Sequence, residues 1–186
     1  MRPLPRSFFV RPPDQVAPDL IGKLLVRLRG GREERVRIVE TEAYMGENDA
    51  AAHAAAGLTR RTAILFGPPG RAYIYLIYGL HLCLNVATLP DGQAGGVLFR
   101  AAVSDAPDAD PKRYSGPGRL TQALGITADL NGHDLTRHGP LYLAADGAPV
   151  GRILAGPRVG IRKAVELPYR YSLAGSRAVS APRPRE

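Results

Sequence analysis

The chain has 186 residues, 45% of them apolar, enough to bury one substantial core without calling for a second domain. Its formal charge of +8 is carried by 22 arginines against three lysines, Lys23, Lys112 and Lys163, a balance that suits bidentate phosphate contacts but also occurs in proteins that touch no nucleic acid. The single Cys83 excludes an internal disulfide, and no apolar run approaches the length of a membrane-spanning helix.

The opening "MRPLPRSFFVRPPDQ" is rich in Pro and Arg and lacks a long apolar stretch, so residues 1–18 are expected to be extended, with Phe8, Phe9 and Val10 as a docking point. "PDLIGKLLVRLRG" supplies a helical or mixed apolar segment, and "GREE" turns the chain. From Val36 to Tyr44, alternation predicts a strand with Val36, Ile38, Glu40, Glu42 and Tyr44 on one face. In "GENDAAAHAAAGLTRRT", Asn48 or Asp49 is placed to cap a short helix that carries His53 and ends at Gly57.

"GPPGRAYIYLIYGLHLCLNVAT" is the most β-rich run and predicts a hairpin turning near Tyr78-Gly79. "GGVLFRAA" predicts a strand that delivers Arg100 near its end. After the polar loop "SDAPDADPKRY", the stretch "SGPGRLTQALGI" predicts a helix with Pro117 in its first turn and Gly125 at its close. "LYLAADG", "RILAGPRVGIRKA" and "PYRYSLAGSRAVS" predict short strands, and residues 181–186 a disordered basic tail. The whole is expected to form one soluble, intracellular domain of residues 1–186.

Several residues carry possible chemistry. Alternate residues of a strand point the same way, so Glu42 and Tyr44 can place a carboxylate beside an aromatic face that holds a planar ring. The same spacing also describes a solvated strand face with a surface ion pair. Tyr73 and Tyr75 share one face of the hairpin, while Tyr78 at its tip could wedge into a stack of bases; aromatics also suit strands for packing alone. His53, His81, His133 and His138 show neither HExxH nor CxxC companions, so no metal is expected. The zinc deaminase signature is absent as well. "GPPGR" and "SGPGR" lack the ending of a P-loop, and so are either phosphodiester grips or plain turns.

Taken together, "VETEAY", "AAAH", "GPPGRAYIYLIYGLHLCLN", "GGVLFRA" and "SGPGRLTQALGI" with "NGHDL" resemble, in order and spacing, the alkyladenine (3-methyladenine) DNA glycosylase family, from about Asp19 to Ser180. The resemblance implies a mixed α/β (α+β) single domain with a curved, largely antiparallel sheet and a protruding hairpin. It implies a monofunctional hydrolase that flips alkylated or deaminated purines out of double-stranded DNA and cuts the N-glycosidic bond, needing no cofactor. Carried over, Glu42 matches the base that activates water and Arg100 the arginine that helps hold it. Tyr44, His53 and Tyr75 match the walls around the flipped base, with His53 also a hydrogen-bond donor. Asn85 matches the residue that crowds the purine 2-position, Val179 the residue whose backbone carbonyl accepts from the water, and Tyr78 the residue that fills the vacated stack. Arg100 is expected to keep Glu42 ionised near neutral pH. In "TRRT", Thr62 stands where family members often have Asn, which puts that phosphate contact in doubt.

Two rival classes stay open on these residues. A glycosylase with lyase activity needs an amine, and none of the three lysines is expected in the constellation. A nucleic-acid-binding module without activity would need no water-activating acid. An intracellular monomer acting on DNA, in the cytoplasm or nucleoid if the source is bacterial, is the resulting expectation.

Overall fold

The computed structural model describes residues 1–106 and 109–182. Among them, nine strands form a curled sheet in which every pairing is antiparallel. The strands are β1 (Arg2–Pro3), β2 (Leu24–Arg29), β3 (Arg32–Tyr44), β4 (Ala72–Ile77), β5 (His81–Ala87), β6 (Gly96–Ser104), β7 (Leu141–Ala145), β8 (Ile153–Gly156) and β9 (Arg170–Leu173). They lie in the order β1-β7-β2-β3-β6-β5-β4, with β9 paired to both β3 and β8. The helices α1 (Pro13–Leu20) and α2 (Pro117–Ala123) contribute Val16, Ala17, Leu20 and Leu120 to the main core, so the architecture is mixed α+β. No helix of the described residues is long and apolar enough to cross a membrane.

The N-terminal segment departs from the expected extended course. A 3-10 turn at Arg6–Phe8 leads to α1, which opens on Pro13, where the missing N–H would have lacked a partner anyway. Phe9 is fully buried with Phe8 packed beside it, their ring centroids 5.0 Å apart, whereas Val10 stays exposed. "PDLIGKLLVRLRG" divides between α1 and β2 at Gly22, whose φ of 83° turns the chain and whose missing Cβ makes room for Val150. At the other end, Arg170 Nη1 donates to the carbonyl of Pro182 at 2.7 Å; residues 183–186 of the expected disordered tail lie outside the described residues, as do 107 and 108 of the polar loop.

The core lies between the helices and one face of the sheet. Phe99, Leu25, Ile38, Leu84, Leu120 and Leu124 are fully buried there, each contributing about 1.5–3 kcal/mol through the apolar surface it removes from water. Strand alternation sends Ala72 and Ile74 of β4, Leu84 and Val86 of β5, and Val97 and Phe99 of β6 into this core. Their neighbours Tyr73, Tyr75, Cys83, Asn85, Leu98 and Arg100 line a cavity on the opposite face.

On β3 this alternation is broken. The pairing with β6 runs Ile38 to Ala102, Glu40 to Ala101 and Thr41 to Phe99, with irregularities on both sides of Glu40. Val36, Ile38 and Ala43 belong to the helix-side core, and the Thr41 hydroxyl donates to the carbonyl of Ala17 in α1 at 2.8 Å. Val39 instead packs with Ala101 and Ala178. The first irregularity gives β3 an extra residue and the second gives β6 one, so the register is restored while both strands exchange faces, and Val36 and Ile38 are separated from Glu40, Glu42 and Tyr44, correcting the single face that strict alternation predicts. At the same place β3 exchanges β2 for β9 as its second neighbour, Glu40 pairing with Ser172 and Glu42 with Arg170.

Candidate active site

Every strand that frames the cavity donates its off-core residues to it. The cavity measures about 540 Å³ and is lined by Leu98, Arg100, Cys83 and Asn85 from β5 and β6, by Tyr73 and Tyr75 from β4, and by Tyr44 at the end of β3. His53 enters from a 3-10 turn at His53–Ala56 that Gly57 closes at φ 75°. Ala52 precedes that turn, and no side chain caps it. The Asp49 carboxylate accepts instead from the amides of Met45 and Ala51, at 3.1 and 3.0 Å.

Glu42 has no exposed surface and sits behind the lining. Its Oε2 accepts from the Tyr44 hydroxyl at 2.9 Å and its Oε1 from the backbone amide of Val159 at 2.7 Å. Arg100 Nη1 lies 3.3 Å from the same Oε1. Burial pushes the Glu42 carboxyl above its ordinary value, and Glu40 adds to the rise, while Arg100, the Val159 amide and Tyr44 oppose it. Desolvation outweighs the arginine, so Arg100 does not by itself keep this carboxylate in the ordinary range.

The aromatic walls are mutually braced. The His53 and Tyr75 rings meet edge to face at 4.5 Å, and Tyr73 lies 5.5 Å from Tyr75. Arg61 contacts His53 Nε2 at 3.3 Å and lies 5.5 Å from the Tyr75 ring centroid. Because a guanidinium only donates, Nε2 is the acceptor, which leaves Nδ1 to donate to the Tyr73 hydroxyl at 2.9 Å. Burial first, and Arg61 second, lower the His53 pKa and favour this neutral ring. The ring thus offers no free donor to the cavity, in contrast to the donor role that the resemblance implies. Asn85 Nδ2 donates to the carbonyl of Tyr73 at 3.1 Å, which fixes the amide against the hairpin.

Tyr78 stands 81% exposed at the hairpin tip with φ 53°, followed by Gly79 at φ 68°. Consecutive positive φ values match the right-handed twist of the flanking strands. Val179 is buried and does not line the cavity; the next residue, Ser180, donates to Glu40 from both its amide and its hydroxyl. Arg100 lies in the middle of β6 rather than near its end. The Thr62 hydroxyl is turned inward, donating to the carbonyl of Gly57 and accepting from the amide of Thr59, both at 2.8 Å.

Two features were not foreseen, the rim segment and the buried Arg158–Asp49 pair. The segment Val159–Lys163 forms part of the rim, and it brings Lys163 to the cavity, where no lysine was expected. Arg158 below it is fully buried against Asp49, at 2.5 and 2.9 Å, and its guanidinium carbon lies 4.7 Å from the Tyr44 ring centroid. Glu40 accepts from Arg100, Arg170 and Ser180. The glycines and paired cations of "GPRVGIRK" were the available signal for the rim, whereas an ion pair 109 residues apart leaves no local pattern.

A buried carboxylate with an arginine and a tyrosine, set behind an aromatic cavity beside an exposed hairpin tip, agrees with what sequence comparison finds. The family model described as methylpurine-DNA glycosylase matches residues 7–177. A Koribacter versatilis protein is 49% identical over 98% of this chain and 95% of its own length. Proteins of Methanocella arvoryzae and Anaeromyxobacter dehalogenans are 45% and 46% identical over 95% and 97% of this chain and 95% and 88% of theirs. All three bear the name "Putative 3-methyladenine DNA glycosylase". With nearly its whole length matched, the chain belongs to the methylpurine-DNA glycosylase family.

Proposed function

We propose that the protein is a monofunctional DNA glycosylase that extrudes alkylated or deaminated purines from duplex DNA and hydrolyses their N-glycosidic bond, leaving an abasic site. One observation carries this reading: the fully buried Glu42 carboxylate, 3.3 Å from Arg100 and hydrogen-bonded to Tyr44, at the back of an aromatic cavity.

A base inside a duplex hides its glycosidic carbon, so the nucleotide must leave the stack at a cost of a few kcal/mol. Tyr78 occupies the vacated space, and Tyr44, His53 and Tyr75 form the walls around the base, where each base–aromatic contact is worth about 1–3 kcal/mol. A positively charged alkylpurine gains a further attraction to tyrosine faces that intact adenine lacks. Asn85 crowds the purine 2-position. Ionised Glu42 takes a proton from water, while its charge stabilises the developing oxocarbenium. Arg100 and the Val179 carbonyl hold that water. The protein acts as a monomer on duplex DNA in the cytoplasm or nucleoid.

The test is incubation with duplexes that each carry one lesion, 3-methyladenine, 7-methylguanine, hypoxanthine or an etheno adduct, followed by alkali. Base release with strand scission only after alkali is the expected result. Glu42→Gln should bind damaged duplex yet lose excision; near-native excision by that variant removes the proposal. Lys163 at the rim favours one second reading, a glycosylase that also forms a Schiff base. Borohydride trapping that disappears in Lys163→Ala would establish it, and no trapping is expected.

A further inference from the structure

We propose that Glu40 is a positioning residue for the hydrolysis, orienting two of the groups assigned to the water beside Glu42, the Arg100 guanidinium and the Val179 carbonyl. This rests on the reading of Glu42 and Arg100 given above. Glu40 has no exposed surface, and no substrate can reach it. Its Oε1 accepts from Arg170 Nε at 2.6 Å, the Ser180 hydroxyl at 2.9 Å and Arg100 Nε at 3.1 Å, and its Oε2 from the Ser180 amide at 2.7 Å.

Arg100 is aimed by these contacts. Its Nε faces Glu40 and the Ser180 hydroxyl, and its Nη2 donates to that hydroxyl at 3.1 Å, leaving Nη1 beside Glu42. Glu40 thus holds one edge of a rigid planar fork whose other side meets Glu42. The carbonyl is aimed through the peptide plane. The amide that Glu40 grips belongs to the bond joining Val179 to Ser180, so fixing the N–H fixes the C=O in the same plane. Arg170 secures this segment, donating from Nη2 to the Ser180 carbonyl at 2.8 Å and from Nη1 to that of Pro182 at 2.7 Å. A glutamine cannot replace this node, because its NH₂ would face donors where a carboxylate accepts on both oxygens.

The experiment measures single-turnover excision across pH, and affinity for a duplex carrying a stable abasic-site analogue, for the parent, Glu42→Gln and Glu40→Gln. Glu40→Gln should keep its affinity within about threefold and lose roughly 10- to 100-fold in rate, as misplaced catalytic groups do. Its ascending pH limb should move to lower pH, since the charge of Glu40 raises the Glu42 carboxyl. The titratable and charged groups acting on Glu42 in the parent are Arg100, Tyr44, Glu40, Tyr75, Cys83 and Arg158, beside the Val159 amide, and this variant removes only the charge of Glu40. A parent-like rate overturns the proposal, and so does a lower rate with an unmoved limb and a matching fall in melting temperature. If Glu40→Gln does not fold, Ser180→Ala carries the test. It keeps both charges but removes the hydroxyl on which Arg100 rests, and should cost about tenfold in rate at unchanged affinity; a parent-like rate there overturns the proposal. Excision retained by Glu42→Gln would instead overturn the underlying mechanism.

Discussion

Glu42 is held in a state that suits chemistry better than stability. Burial favours its neutral form, so the fold gains from a protonated Glu42 at pH below the unfolded value near 4.5. That gain is lost as pH rises through the raised folded value. Glu42→Gln, neutral at every pH, should therefore melt above the parent at neutral and alkaline pH, with the difference shrinking toward acid. Thermal melts across the pH range check this, and a parent more stable than the variant at neutral pH would mean that Arg100 and the Val159 amide outweigh burial. With Glu42 as the proposed base, the same shift should move the ascending limb of the excision profile to higher pH than an unburied carboxylate would give. The residue types and spacing of the pocket were legible in "VETEAY" and "YIYLIYG", because strands repeat every second residue. The grip on Glu40 was not, because its partners Arg100, Arg170 and Ser180 lie 60, 130 and 140 positions away.

At the scale of elements, the rim segment owes its place to one buried pair. Arg158 donates to both oxygens of Asp49 and to the carbonyl of Ala43, so the chain at Val159 is pinned where its amide meets Glu42. Asp49→Asn strands a buried guanidinium and should cost about 3–5 kcal/mol, measurable by urea unfolding. It should also speed hydrogen exchange at the Val159 amide. Most strands and helix α2 were legible from alternation and from Pro and Gly at helix ends. Helix α1 was hidden by its own prolines, which read as an extended segment although Pro13 only marks a helix start. Strand β3 defeated strict alternation because a pair of matched irregularities, one on β3 and one on β6, cannot be seen in a run of side chains that are all buried from Val36 to Ala43 except Arg37.

On the scale of the whole molecule, the charge of +8 acts together with the cations around the cavity. Arg162 and Lys163 stand exposed at its rim. Affinity for duplex should fall steeply with salt, and replacing either residue by Ala should lower the magnitude of the log–log slope by about 0.9 if each neutralises one phosphate. Binding titrations between about 50 and about 200 mM salt read this, and a flat response would argue against DNA as the partner. The sheet itself divides two duties, since Val97 and Phe99 support the core while their neighbours Leu98 and Arg100 serve the cavity. The irregularity at Glu40 therefore works as a counted length. Removing Val39 alone would leave the matching extra residue of β6, at Arg100, without its counterpart and turn either the core residues of β3 or Glu42 and Tyr44 to the wrong side. The placement of the carboxylate is thus stored in the number of residues ahead of it, where no change of side chain could rewrite it.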